Sequence, residues 1–132
     1  MKPLIITVIV LISLAAGLFY YNYTKNTVKV YPWPTQLGYL PNLNDNFLIN
    51  SFKMTQKNEV KTWNIKINQT NLAIINDYLK ALKLRNFEFI ESNNISDGVI
   101  EEIYTHSNIT ISLTYNAMVD DGRLAATIVV QP

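Results

Sequence analysis

Residues 4–21 form an unbroken apolar run, LIITVIVLISLAAGLFYY, and the interpretation of the whole chain starts from it. The run contains no charged side chain. As a helix it would be about 27 Å long, close to the roughly 30 Å hydrocarbon core of a bilayer. It therefore predicts one transmembrane helix contacting the lipid bilayer through residues 4–21, within an N-terminal membrane anchor that we assign to residues 1–25.

A cleaved secretory signal peptide is the alternative interpretation of this run. Cleavage requires small residues after a shorter apolar core, and Ser13, Ala15 and Gly17 supply them. The apolar run continues past these positions to Tyr20 and Tyr21, and such rings gather where a helix leaves the hydrocarbon core. We therefore expect a retained signal anchor.

The topology follows from the first residues. The short positive start at Lys2 is typical of signal-led insertion and predicts a single-pass protein of the cell membrane, with the N-terminus inside and the domain extracytoplasmic. Lys25 and Lys29 lie on the other side of the run, so the positive-inside bias is small. Under the alternative, the domain would be secreted. The chain has no cysteine, which excludes a lipid-modified cysteine anchor and disulfides.

Length and charge limit the rest of the chain to one near-neutral domain. Of the 132 residues, those after the anchor fall in the usual range for a single core. Residues 26–132 keep nine of the eleven basic residues and all ten acidic ones, which gives a net charge of −1. Nucleic acids are bound chiefly by clustered positive charge, so we expect no nucleic-acid partner.

Residues 26–46 follow the anchor and contain three prolines, which predict a spacer with an extended bias. Tyrosine and tryptophan provide large contact areas with little rotamer entropy. The possible partner contacts in this spacer are Tyr31, Trp33 and Tyr39. The alternative is that Trp33, Leu37 and Leu40 fold back and cap one end of a sheet.

From residue 47 the pattern changes to strands with one helix. Residues 47–54 and 60–68 flank a polar turn and predict a hairpin. Further strands are predicted over residues 87–91, 99–106, 109–115 and 124–130. The third of these six strands is followed by a predicted turn over residues 93–98. The fourth, 99–106, is irregular enough to suggest an edge or solvated strand. The last is apolar on nearly both faces and suggests an inner strand or a face that a partner covers.

The predicted helix covers residues 71–85 and has a continuous apolar stripe. The residues of the stripe are Leu72, Ile75, Leu79 and Leu82. Thr70 is placed to cap the start of the helix, and Asn86 to end it in a left-handed conformation. The stripe is expected to face the core of the domain.

These elements predict an α+β fold. An N-terminal transmembrane helix precedes a two-layer domain over residues 47–132, with an antiparallel sheet in the order ββαββββ and one helix packed on it. The last four strands have no crossover helix between them, so they cannot readily be parallel.

The chain resembles a group of small membrane-anchored extracytoplasmic bacterial domains of unknown function. The resemblance covers residues 32–130 and rests on three features, which are the Trp33-Pro34 to Leu40-Pro41 segment, the helix ending at Asn86-Phe87 and the strand from Asn108 to Tyr115. The chain departs from the group by lacking a lipidated cysteine. The resemblance implies the fold and the location and supplies no activity.

Residues that could carry chemistry are few. His106, the only histidine, is expected to be a surface imidazole near a turn. Glu101 and Glu102 are adjacent on a strand and point to opposite faces, so they cannot easily share a metal ion. We therefore predict no catalytic, cofactor or metal site and no enzyme.

Two functions are consistent with this pattern. The first is a membrane-tethered extracytoplasmic interaction module without catalytic activity, as a small subunit of an envelope assembly with a protein partner. The alternative is a secreted ligand-binding or inhibitor-like domain, released by cleavage near Ala15 or Gly17.

Overall fold

The N-terminal apolar run is a helix in the computed structural model of the chain, which describes residues 2–26 and 30–132. Helix α1 spans Lys2–Asn26. Its segment Pro3–Tyr20 is long and apolar enough to cross a membrane, and no part of that segment is buried against the rest of the described chain. These properties suit a single-pass anchor and a signal sequence alike. Residues 27–29, with Lys29, and the side chains of Tyr21 and Lys25 lie outside what the structure describes.

The remaining elements form an antiparallel sheet of six strands with a second helix. The strands are β1 (Ser51–Lys57), β2 (Val60–Ile67), β3 (Glu88–Ser96), β4 (Val99–His106), β5 (Ile109–Asn116) and β6 (Leu124–Val130), and the helix is α2 (Leu72–Leu84). In space the strands follow the order β1-β2-β6-β5-β4-β3, with β1 and β3 at the edges. This confirms the α+β class with an N-terminal apolar helix. The structure differs in detail from the expectation, in the strand bounds and in two added 3-10 helices.

One face of the sheet forms the core. Strand β5 shows why, because its side chains alternate between buried and half-buried along its length. Register places Ile111 beside Ile128 of β6 and Tyr104 of β4, so buried residues form rows across the strands. The helix contributes Ile75, Tyr78, Leu79 and Leu82 to the same core. We call this the core face, and the opposite side of the sheet the outer face.

Two strands differ from their expected positions. Strand β4 is an inner strand between β5 and β3, so of the two alternatives for 99–106 the edge strand is wrong. The edge is β3, which extends to Ser96 through the predicted turn because it pairs with β4 over its full length. Strand β6 lies between β2 and β5 and confirms the inner-strand expectation.

Helix α2 begins one residue later than the sequence suggests. The Oδ1 atom of Asn71 accepts a hydrogen bond from the Ile74 N–H at 2.9 Å, so Asn71 is the N-cap and the assignment of Thr70 is wrong. The hydroxyl of Thr70 is buried and has no hydrogen-bond partner within the described part of the chain. Asp120, in the loop before β6, accepts a second bond from the Leu72 N–H at 3.1 Å.

The end of α2 is a left-handed turn at Asn86, as the sequence predicts. Asn86 has a φ of +64°. Its N–H donates to the Lys83 carbonyl at 3.1 Å, and the Phe87 N–H donates to the Leu82 carbonyl at 3.0 Å. This pair of bonds is a Schellman motif, and the buried side chains of Phe87 and Leu82 add the apolar contact that accompanies it.

Residues 30–46 pack against the domain. They contain two short 3-10 helices, Thr35–Leu37 and Leu43–Asp45. Leu37, Leu40 and Leu43 are almost completely buried in the core. The segment also reaches α2, because the Tyr78 hydroxyl donates to the Pro41 carbonyl at 2.8 Å. A boundary at residue 46 would therefore divide residues that share one core.

Candidate interaction surface

Tyr31, one of the three predicted contact residues, attaches the segment that follows α1 to the edge of the sheet. Its ring stacks on Phe52 of β1, with ring centres 5.5 Å apart and planes 20° apart. The Asn44 side chain donates to the Tyr31 carbonyl at 2.7 Å and accepts from the Tyr31 N–H at 3.4 Å. One amide therefore holds both backbone groups of Tyr31, and the half-buried ring is used by the fold.

Trp33 is also half-buried and also serves the fold. Its indole N–H donates to the Leu37 carbonyl at 2.9 Å, at the end of the first 3-10 helix. Its ring lies 6.2 Å from that of Phe52. Most of its apolar surface is thus engaged within the domain.

Tyr39 is the most exposed of the three, at 40%. Its ring stacks on His106 with centres 4.4 Å apart and planes 18° apart. The Asn86 side-chain amide donates to its hydroxyl at 3.3 Å. Tyr39 therefore joins residues 30–46 to the end of α2 and the end of β4.

His106 is a partly exposed imidazole of this cluster, beside the turn that follows β4. It contacts Phe87 as well as Tyr39, with ring centres 5.4 Å apart in the Phe87 pair. Its Nδ1 lies 3.1 Å from the carbonyl oxygen of Asn86. Because a carbonyl oxygen only accepts, Nδ1 is the donor in this contact. The described residues contain no group of three or more histidine, aspartate or glutamate side chains that could hold a metal ion.

Strand β3 presents the most exposed apolar side chains of the sheet. Its pairing with β4 skips one residue between Phe89 and Glu91 and another between Asn94 and Ser96, so Ile90 and Ile95 are bulged residues. Ile90 is 54% exposed and Ile95 is 58% exposed. We call Phe89, Ile90 and Ile95 the β3 surface.

The sequence around the β3 surface is acidic. Residues 87–106 contain five acidic residues and no lysine or arginine. The acidic residues are Glu88, Glu91, Asp97, Glu101 and Glu102. Exposed apolar side chains on an edge strand whose neighbouring charges are all of one sign are typical of a protein-binding edge.

One of these carboxylates is engaged on the core face. Glu102 accepts hydrogen bonds from the hydroxyls of Tyr104, at 3.0 Å, and Tyr115, at 3.2 Å. Burial, together with the Glu102 charge and hydrogen bond, raises the pKa of Tyr115 to about 12 and raises the pKa of Tyr104 further. Both phenols therefore stay protonated and donate, which suits a structural network.

An open groove of about 770 Å³ lies where β2, β5 and β6 meet the loop before β6. Charges of both signs line it, with Lys66 and Arg123 beside Asp121. The groove is wide open to solvent, whereas sites for small molecules usually enclose most of their ligand. The β3 surface is the stronger candidate.

The sequence signals only part of this surface. The acidic residues of 87–106 are visible by inspection, but the exposure of Ile90 and Ile95 depends on bulges that interrupt the alternation of the strand. Comparison of the chain with protein-family models, with curated proteins and with solved structures gave no match, so the resemblance described above stays a prediction.

Proposed function

We propose that this protein is a membrane-tethered interaction module, with its domain on the extracytoplasmic side and α1 in the bilayer with the N-terminus inside. It would bind a protein partner through the β3 surface, with Tyr39 at its rim, and it is assigned no reaction. Tyr31 and Trp33 would contribute by holding residues 30–46 in place.

The single observation that carries the proposal is the bare apolar surface of α1. Over Pro3–Tyr20 none of the helix is buried against the described residues. An exposed apolar helix of this length is stabilised by moving from water into hydrocarbon. A retained helix would fix the domain beside the membrane, where a weakly binding edge acts at a high effective concentration.

Intact-mass measurement of the protein from the membrane and soluble fractions tests the tether. We expect the full mass of the chain, including residues 1–17, in the membrane fraction. A soluble product cut near Ala15 or Gly17 would contradict the tether and support the alternative, a secreted ligand-binding or inhibitor-like domain.

Photo-crosslinking in native membranes tests the partner surface. A photoreactive residue at Ile95 is expected to give one discrete protein adduct, and Glu88→Lys with Glu91→Lys should abolish it. The same probe at Leu84, which is 84% exposed on α2, serves as the control for simple apolar exposure. The absence of an adduct from Ile95, or the same adduct from Leu84, would contradict the binding of a protein partner at the β3 surface.

A further inference from the structure

Three lysines share the outer face of the sheet at its β1 edge. Register sets Lys53 opposite Asn64, Lys57 opposite Val60 and Lys66 opposite Ser51, and all three lysines are exposed. Paired residues share a face, and successive residues alternate. These positions alternate with Phe52 and Ile65 of the core side, so the lysines point away from α2. We call them the lysine face.

The opposite end of the same face is acidic. One row of paired residues crosses the sheet from Lys66 through Ala125 and Thr114 to Glu101. Glu88 and Glu91 pair with Thr105 and Ile103, which lie on the same side of β4 as Glu101. Five strand spacings separate β1 from β3, or about 24 Å. The outer face therefore carries separated charges, positive at β1 and negative at β3.

The chain enters the domain at the positive end. Tyr31 is stacked on Phe52 of β1. Between Asn26, where α1 ends, and Val30 there are four residue steps, which span at most about 14 Å however the chain is arranged. If α1 is in the bilayer, the β1 edge is held close to the lipid headgroups, while the acidic edge has no such constraint.

We infer that the lysine face docks on an anionic lipid surface and so turns the β3 surface away from the bilayer. The inference rests on the proposed tether. Near an anionic membrane each lysine favours the docked state by about fivefold, and repulsion of Glu88, Glu91 and Glu101 favours the same orientation. Glu59, in the turn between β1 and β2, opposes part of this attraction. The tether makes docking intramolecular, so three lysines are sufficient to bias it.

Fluorescence transfer from the domain to labelled lipid headgroups tests the docking. The chain has no cysteine, so Thr55→Cys on β1 and Ser96→Cys on β3 each give one labelling site on the full chain. The protein is placed in nanodiscs of phosphatidylcholine, or of phosphatidylcholine mixed with phosphatidylglycerol. We expect at least a twofold rise in transfer from position 55 in the anionic discs, no rise from position 96, and loss of the difference in 1 M salt, where the Debye length is about 3 Å.

Matched charge reversals identify the face. Lys53→Glu with Lys57→Glu should abolish the response to anionic lipid, whereas Lys80→Glu with Lys83→Glu changes the net charge equally on α2 and should leave it in place. Circular dichroism checks that both variants fold. Equal transfer in the two kinds of disc, or equal loss in both variants, would overturn the docking.

The same nanodisc experiment distinguishes a failure of the docking inference from a failure of the proposed function. A chain that stays in phosphatidylcholine discs and shows no dependence on lipid charge overturns the docking alone. A chain that leaves phosphatidylcholine discs contradicts the tether, and with it the docking inference.

Discussion

Asn86 is one of four residues other than glycine in the described chain whose backbone lies in the left-handed region. Its φ of +64° allows the two hydrogen bonds that end α2 and brings its carbonyl to His106. The sequence predicts this residue because asparagine tolerates the conformation. It does not predict the stack of Tyr39 on His106, which depends on residues far apart in the chain.

Asn86→Ala should lower the free energy of unfolding by about 1 kcal/mol, since alanine lacks the tolerance of asparagine for a left-handed backbone. Asn86→Gly should have little effect, because glycine relieves the backbone while losing the bond to Tyr39. Urea unfolding in detergent, followed by tryptophan fluorescence, measures both. Asn76→Ala on the exposed side of α2 is the control, and a loss there equal to that of Asn86→Ala would contradict the argument.

The tyrosines that donate to Glu102 make the free energy of unfolding depend on pH in the alkaline range. The raised pKa of Tyr115, about 12, means that the unfolded chain loses its phenol proton near pH 10 while the folded chain keeps it. The free energy of unfolding is therefore expected to fall as the pH rises from 10 to 12, and this contribution is complete below pH 10.

Glu102→Gln should lower the pKa of both Tyr104 and Tyr115, because it removes a negative charge beside each phenol. NMR titration of the tyrosine ring carbons measures the shift. Glu101→Gln is a matched control, since Glu101 lies on the outer face. Unchanged titration in Glu102→Gln, or equal shifts in both variants, would show that the Glu102 charge has no part in the shift.

At the scale of elements, α2 shows which cap residue the fold uses. Both Thr70 and Asn71 are suitable caps by composition, and the sequence does not separate them. The structure places the Asn71 side chain on the Ile74 N–H and buries the Thr70 hydroxyl. The Gly122 carbonyl accepts a hydrogen bond from the Thr70 N–H at 3.0 Å, which joins the residue before the cap to the loop before β6.

Asn71→Ala is expected to lower the free energy of unfolding by about 1 kcal/mol through loss of the cap. Thr70→Val should leave stability unchanged or raise it by about 1 kcal/mol, because it replaces a buried hydroxyl that no described group bonds. Thermal unfolding of the two variants compares them directly. The opposite ranking would restore Thr70 as the cap.

The strands differ in how far sequence alone could determine them. Strand β5 was predictable because one face is buried and the other is not, so apolar and polar residues alternate without interruption. Strand β3 was not, because the bulges at Ile90 and Ile95 shift the alternation twice. The spatial order of the strands also depends on pairing between distant segments, which periodicity within a strand cannot reveal.

At the scale of the whole molecule, residues 30–46 share one buried core with the sheet and α2. Leu37→Ala should cost about 3 kcal/mol, as expected for a fully buried leucine. Pro32→Ala, at an exposed position of the same segment, should cost little. Urea unfolding tests this pair, and a cost for Leu37→Ala below that of the control would make the segment a detached spacer.

The anchor can be tested with one charge. Ile12→Lys places an ammonium group near the middle of α1, at about 3 kcal/mol in the centre of a bilayer, and should reduce the membrane-bound fraction. Val30→Lys, outside the helix, should leave the fraction unchanged. Quantitative immunoblotting of membrane and soluble fractions measures both. Equal retention of the two variants would contradict a role for α1 in the bilayer.

The two hydrogen bonds between the Asn44 side chain and the Tyr31 backbone have a mechanical consequence. Under the proposed tether, tension between a bilayer and a bound partner would reach the domain through the chain at Tyr31. The two Asn44–Tyr31 hydrogen bonds and the stack of Tyr31 on Phe52 would bear this force first. The hydrogen bonds between the strands would bear it only after those contacts break. We expect pulled molecules to lengthen first by release of residues 30–46, with the six strands still paired, so this segment sets the force at which the domain begins to yield.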